Sequence, residues 1–89
     1  MSNVQIYTKS YCPYCISAKH MLKKIGVAFE EIEISTDRAL QTEMRERSQR
    51  RTVPQIFVGD IHIGGSDDLR VAMKNGQFSE ALAKASTVN

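Results

Sequence analysis

The chain holds two cysteines, and they stand together in Cys12-Pro13-Tyr14-Cys15, close behind the short β-type run Val4-Gln5-Ile6-Tyr7. This pair constrains the fold more than any other feature. A bridge across two intervening residues closes a very short loop and removes little entropy from the unfolded chain. It is a poor staple, so a chain of 89 residues must rely on an apolar core. Secreted domains of this size usually carry several bridges between distant segments. The cysteine usage therefore points to a cytoplasmic chain whose cysteines have chemical work. Met1-Ser2-Asn3-Val4 lacks the charged-then-apolar layout of a secretory signal. No apolar run approaches the roughly 18 residues of a membrane span. A net charge of +2 gives no argument for nucleic acid. The expectation is one domain over residues 1–89, with neither membrane nor nucleic acid as partner.

The pattern along the chain reads β-α-β-α-β-β-α-α. Val4 to Tyr7 forms the first strand, ending at Thr8-Lys9-Ser10. A helix starts at Cys12-Pro13, because proline is tolerated where the helix has no use for its N–H. Cys15, Ala18, Leu22 and Ile25 recur at helical spacing, and Gly26 stops the run. Residues 29–34 read as a second strand, with Ile32 and Ile34 on one face and Glu31 and Glu33 on the other. Thr36 or Asp37 caps a second helix reaching Ser48, with Leu40 and Met44 inward. Residues 54–58 are a third strand opened by Pro54. Gly59-Asp60 is a two-residue hairpin turn into a fourth strand, Ile61-His62-Ile63. Ser66 caps a third helix carrying Leu69, Ala72 and Met73 and ended by Asn75-Gly76. A last helix follows Ser79 with Ala81, Leu82 and Ala85 inward, and Thr87-Val88-Asn89 frays. The first two strands should be parallel, joined by a right-handed crossover.

A Cys-x-x-Cys at a helix start has a specific chemistry. Residues three apart on a helix are neighbours, so the sulfurs can bond with little backbone movement. The first cysteine sits at the positive end of the helix dipole, among unpaired N–H groups. Its thiol pKa falls, giving a thiolate nucleophile at neutral pH. Lys9 adds positive potential nearby. The second cysteine lies on the apolar stripe with Ala18 and Leu22 and is shielded. Cys12 therefore attacks and Cys15 resolves. A zinc site would need two further ligands. His20 follows Cys15 too closely in the same helix, and His62 reads as an outward-facing strand residue, so no metal is expected.

Cys12-Pro13-Tyr14-Cys15 after a first strand, then Thr52-Val53-Pro54, then Gly64-Gly65-Ser66-Asp67-Asp68, resembles the three-part pattern of glutaredoxins. The resemblance runs from Val4 to about Leu82 and is nearest the short bacterial dithiol members. Thioredoxins share the Cys-x-x-Cys but usually carry tryptophan before the first cysteine; here Tyr11 stands there. The resemblance implies a thioredoxin-like α/β fold, a four-stranded mixed sheet flanked by helices. It also implies a cis Val53–Pro54 bond and a cradle for glutathione, the co-substrate, with no permanently bound cofactor. Val53, biased to extended geometry before proline, would pair its backbone with the glutathione cysteinyl residue like an added strand. Gly65 would permit close approach. The N–H groups of Ser66 and Asp67 would meet the γ-glutamyl carboxylate, and the Asp67 carboxylate the ammonium beside it. Lys9 and Gln41 would meet the glycyl carboxylate, Tyr14 would flank the mixed disulfide, and Thr52 would join Val53 and Pro54 in the glutathione-binding set. Arg45, Arg47, Arg50 and Arg51 read as a solvated face that could steer an anion.

The implied activity is glutathione-dependent thiol–disulfide exchange by a monomer, on disulfide-containing or glutathionylated proteins. Three rivals share the fold. A glutathione-ligated iron–sulfur cluster carrier would typically have a glycine-serine type spacer and lack the second cysteine, so Pro13 and Cys15 argue against it. The others are a dedicated electron donor to one reductase and a thioredoxin-like protein served by thioredoxin reductase.

Overall fold

The structure, a computed structural model, describes residues 3–87. The elements are β1 (Val4–Thr8), α1 (Pro13–Lys24), β2 (Glu30–Glu33), α2 (Arg38–Ser48), β3 (Gln55–Val58), β4 (Ile61–Gly64), α3 (Ser66–Asn75) and α4 (Gln77–Thr87). The expected order of elements is therefore present. The strands form one mixed sheet in the order β2-β1-β3-β4. β1 runs parallel to β2 and antiparallel to β3, and β3 and β4 make an antiparallel hairpin. Val58 pairs with Ile61, which leaves Gly59-Asp60 as a two-residue turn. Of the expected frayed end, Thr87 closes α4, and Val88 and Asn89 lie outside the described residues.

Strand alternation splits the core between two faces. Val4, Ile6, Ile56 and Val58 pack with Ala18 and Leu22 of α1, Leu69 and Ala72 of α3, and Phe78 and Ala81 of α4. Tyr7, Ile34 and Phe57 pack with Met44 of α2 on the other face, where Ile32 and Leu40 join them. Glu31 lies opposite and accepts from Thr8 Oγ1 at 2.7 Å and Lys19 Nζ at 3.0 Å. Among the described residues, no helix is long and apolar enough to cross a membrane.

Local chemistry corrects several boundaries. Asp37, not Thr36, caps α2, its carboxylate accepting the Leu40 N–H at 3.0 Å. The N-cap of α3 is Gly65, not Ser66, whose Oγ is buried without a hydrogen-bond partner among the described residues. The last helix starts at Gln77, ahead of Ser79, because the Asn75 side chain accepts the Gln77 N–H at 2.9 Å. That early start carries Phe78 into the core.

Two surface expectations also fail. Arg47 is half-buried rather than solvated. Its guanidinium lies 4.0 Å from the Phe57 ring centroid and donates to Gln5 Oε1 and to the Tyr7 hydroxyl, both at 2.9 Å. The Tyr7 hydroxyl in turn donates to Glu43. His62 does not face outward. The regular register of the β3–β4 hairpin sets His62 opposite Phe57, just before the bulge that pairs Ile56 with Gly64, and the two rings lie 4.9 Å apart on the α2 side.

Candidate active site

The chain leaves β1 through an exposed loop in which Tyr11 takes a positive φ of 57°. Cys12 follows in extended backbone, φ −111° and ψ 102°, as the N-cap of α1, with Pro13 in the first turn. Its Sγ accepts the backbone N–H of Cys15 at 3.1 Å. The sulfur thus occupies the place of a capping serine or aspartate oxygen. In the reduced protein the same N–H and the positive end of α1 favour the thiolate over the thiol. Cys12 and Cys15 are joined as a disulfide, with Cα atoms 5.1 Å apart. Cys12 is partly exposed, whereas Cys15 is 2% exposed on the stripe with Ala18 and Leu22. An incoming sulfur reaches Cys12 first.

The loop before β3 closes over this pair. The Val53–Pro54 bond is cis, and the Val53 carbonyl oxygen lies 3.8 Å from Cys12 Sγ. Beyond it, α3 begins. Asp68 reaches back from the first turn of α3, accepting from Gly65 N–H at 2.9 Å and Arg50 Nη1 at 2.8 Å. Arg50 first, and then the Gly65 N–H, hold its carboxyl below the usual aspartate range. An open groove of about 330 Å³ runs between Tyr14 and the start of α3. Thr52, Val53 and Pro54 form one wall, and Gly65, Ser66 and Asp67 the other, with Arg50 and Asp68 completing the lining.

A model of the family described as Glutaredoxin matches residues 4–63. Glutaredoxin 3 of Escherichia coli (strain K12) is 55% identical over 82 residues, spanning 92% of this chain and 99% of that protein. The chain belongs to the glutaredoxin family. A solution structure of a glutaredoxin from Brucella melitensis superposes with a TM-score of 0.80 at 44% identity, covering 100% of this chain and 96% of that one. A crystal structure of a buckwheat glutaredoxin–glutathione complex superposes with a TM-score of 0.83 at 27% identity, covering 98% and 82%.

For a glutaredoxin, the sequence-derived glutathione set divides in two. Tyr14, Thr52, Val53, Pro54, Gly65, Ser66 and Asp67 line one groove beside Cys12. Lys9 and Gln41 do not line it. Lys9 stands exposed in the β1–α1 loop. The Gln41 amide donates to the Ile34 and Ser35 carbonyls, at 2.8 and 3.3 Å, and so is engaged in holding α2 to the end of β2. The demand for glycine also moves. A Cβ on Gly65 would meet Pro54 O at an ordinary 3.5 Å, whereas Gly64 has φ 119° and no room beside Asp68. Asp67 pairs with Arg70 at 2.8 Å on an exposed surface.

Two contacts at this site escaped the sequence reading, the Asp68 cap on Gly65 and its pairing with Arg50. Asp68 stands three residues after the Gly65 cap, a capping-box spacing that could have revealed it. The pairing of Arg50 with Asp68 had no such signal, since it joins the loop after α2 to the first turn of α3. Among the described residues, no cluster of three or more His, Cys, Asp or Glu is placed to hold a metal ion.

Proposed function

We propose that this protein is a glutathione-dependent thiol–disulfide oxidoreductase in which Cys12 is the attacking thiolate and Cys15 the resolving thiol. The observation that carries this is Cys12 Sγ at the N-terminus of α1, facing the Val53 carbonyl at the mouth of the groove. In the reduced protein the Cys12 thiolate attacks the glutathione sulfur of a mixed disulfide. The substrate thiolate leaves and takes a proton from solvent. A second glutathione then attacks the glutathione sulfur held on Cys12, releasing oxidised glutathione and restoring the thiolate. With a protein disulfide, Cys12 forms the mixed disulfide and the Cys15 thiolate displaces the substrate, leaving the Cys12–Cys15 disulfide.

In this reading the groove holds glutathione along its length. The Val53 backbone pairs with the cysteinyl residue. The start of α3 at Ser66 and Asp67 receives the γ-glutamyl carboxylate, as helix N-termini do for anions. Tyr14 and Thr52 flank the mixed disulfide. Lys9 reaches the glycyl end by swinging its flexible side chain. Disulfide-containing and glutathionylated proteins of the cytoplasm are the partners.

The test is coupled NADPH oxidation, run once with glutathione and glutathione reductase and once with thioredoxin reductase. The proposal expects turnover in the first system only. Turnover in the second alone would overturn it.

A further inference from the structure

Gln55 is fully buried at the start of β3. Its Nε2 donates to the Thr52 carbonyl at 3.0 Å, and its Oε1 lies 2.7 Å from His62 Nε2. The two contacts fix each other. A carbonyl oxygen only accepts, so the amide nitrogen must face Thr52. The amide oxygen then faces His62, which must carry its proton on Nε2. Burial, with Arg50 and Arg47 nearby, lowers the His62 pKa against the opposing pull of Asp68, so the ring is neutral at pH 7. Phe57 stacks on the ring and holds it in place.

The chain of contacts ends on a single peptide unit. The Thr52 carbonyl and the Val53 N–H belong to one planar trans peptide, so they point in opposite directions. Anchoring the carbonyl on Gln55 fixes where the N–H points. Val53 lines the groove, and its N–H has no acceptor among the described residues.

We propose that Gln55 and His62 are positioning residues for glutathione recognition: they hold the Thr52–Val53 peptide so that its N–H stays aimed at the cysteinyl carbonyl of a glutathionyl group. This rests on the reading of the groove as a glutathione site. Neither residue touches the reacting sulfurs. His62 acts through Gln55, and Gln55 through the Thr52 carbonyl.

Two substitutions separate the hydrogen bond from the packing. His62→Phe keeps a ring against Phe57 and removes the donor. His62→Gln removes the ring and puts an amide N–H where Nε2 stood. Prereduced protein is mixed in single turnover with one peptide carried either as its glutathionyl or as its cysteinyl mixed disulfide. Release of the peptide thiol is followed by mass spectrometry. Cysteine has no flanking peptide units for Val53 to pair with, while the sulfur chemistry is the same. The ratio of the two rates reports glutathione recognition, and partial unfolding of a variant cancels from it. The ratio should fall about fivefold in His62→Phe, the worth of one ordinary hydrogen bond. It should stay within about twofold of wild type in His62→Gln. An unchanged ratio in His62→Phe, or an equal loss in both variants, would overturn the proposal. A wild-type ratio of one would instead overturn the glutathione reading of the groove.

Discussion

A Cβ on Gly64 would lie 2.5 Å from Asp68 Oδ2 and 2.8 Å from Asp68 Cβ. The carboxylate cannot swing aside without releasing the Gly65 N–H and Arg50, and the Asp68 Cβ cannot move at all without moving α3. The backbone at Gly64 also holds φ 119°, which side-chain-bearing residues avoid. Gly64→Ala should cost about 2–3 kcal/mol of stability by urea denaturation. Gly65→Ala, with φ −86° and ordinary contacts, should cost well under half of that.

Adjacent aspartates should divide structure from recognition. Asp68→Ala removes a cap and a half-exposed ion pair. The ion pair adds little, so the cap sets a loss of about 1 kcal/mol. The folded-state pKa of Asp68 is lowered, so its contribution is complete above the ordinary value of about 3.9 and is lost as pH falls through the folded value. The stability gap between wild type and Asp68→Ala should therefore be full at pH 7 and narrow in strong acid. Asp67→Ala should leave stability within about 0.5 kcal/mol and raise the KM for glutathione more than it lowers kcat.

The arginines of α2 and the loop after it should separate in the same way. Arg47→Ala strips a guanidinium from Phe57 and leaves the Tyr7 hydroxyl without one partner, and should cost about 1–3 kcal/mol in urea denaturation. Arg45→Ala and Arg51→Ala, both at exposed positions, should change stability by less than about 0.5 kcal/mol.

These arginines show where sequence reading works and where it stops. Periodicity placed the elements, because the apolar faces of Ile6, Ala18, Leu22 and Leu69 follow strand and helix spacing. The placement of the cysteines, Cys12 partly exposed at a helix start and Cys15 buried on the apolar stripe, was legible because both depend on one local fact, the start of α1. Arg47 and His62 were misjudged, and the contacts of Gln41 were not foreseen, because their partners lie on other elements: Phe57 on β3, Gln55 across a bulged hairpin, and the carbonyls after β2. Local spacing carries no trace of such contacts. The start of α3 lies between these cases. Its glycines and aspartates were recognised as a unit, but which glycine must be glycine depends on the reach of the Asp68 side chain.

The Cys12 thiol of the reduced protein should titrate well below the free value of about 8.5, since its sulfur meets the Cys15 N–H at the start of α1. Iodoacetamide alkylation against pH measures this. A midpoint at the free value would contradict the role assigned to the helix terminus.

The division of labour between the two cysteines is the centre of the account, and Cys15→Ser tests it most directly. Removing a glutathionyl group needs one enzyme thiol, because free glutathione releases Cys12. Reducing an intramolecular protein disulfide needs a second thiol held close. Cys15, with its Cα 5.1 Å from that of Cys12, is present at high effective concentration. Both activities are measured on the Cys15→Ser and Cys12→Ser proteins, with glutathione and glutathione reductase. Cys15→Ser should keep most deglutathionylation, lose most protein-disulfide reduction, and retain a glutathione mass adduct after exposure to oxidised glutathione. Cys12→Ser should lose both activities. Equal loss of both activities in Cys15→Ser would contradict the assignment of Cys15 as a resolving thiol alone.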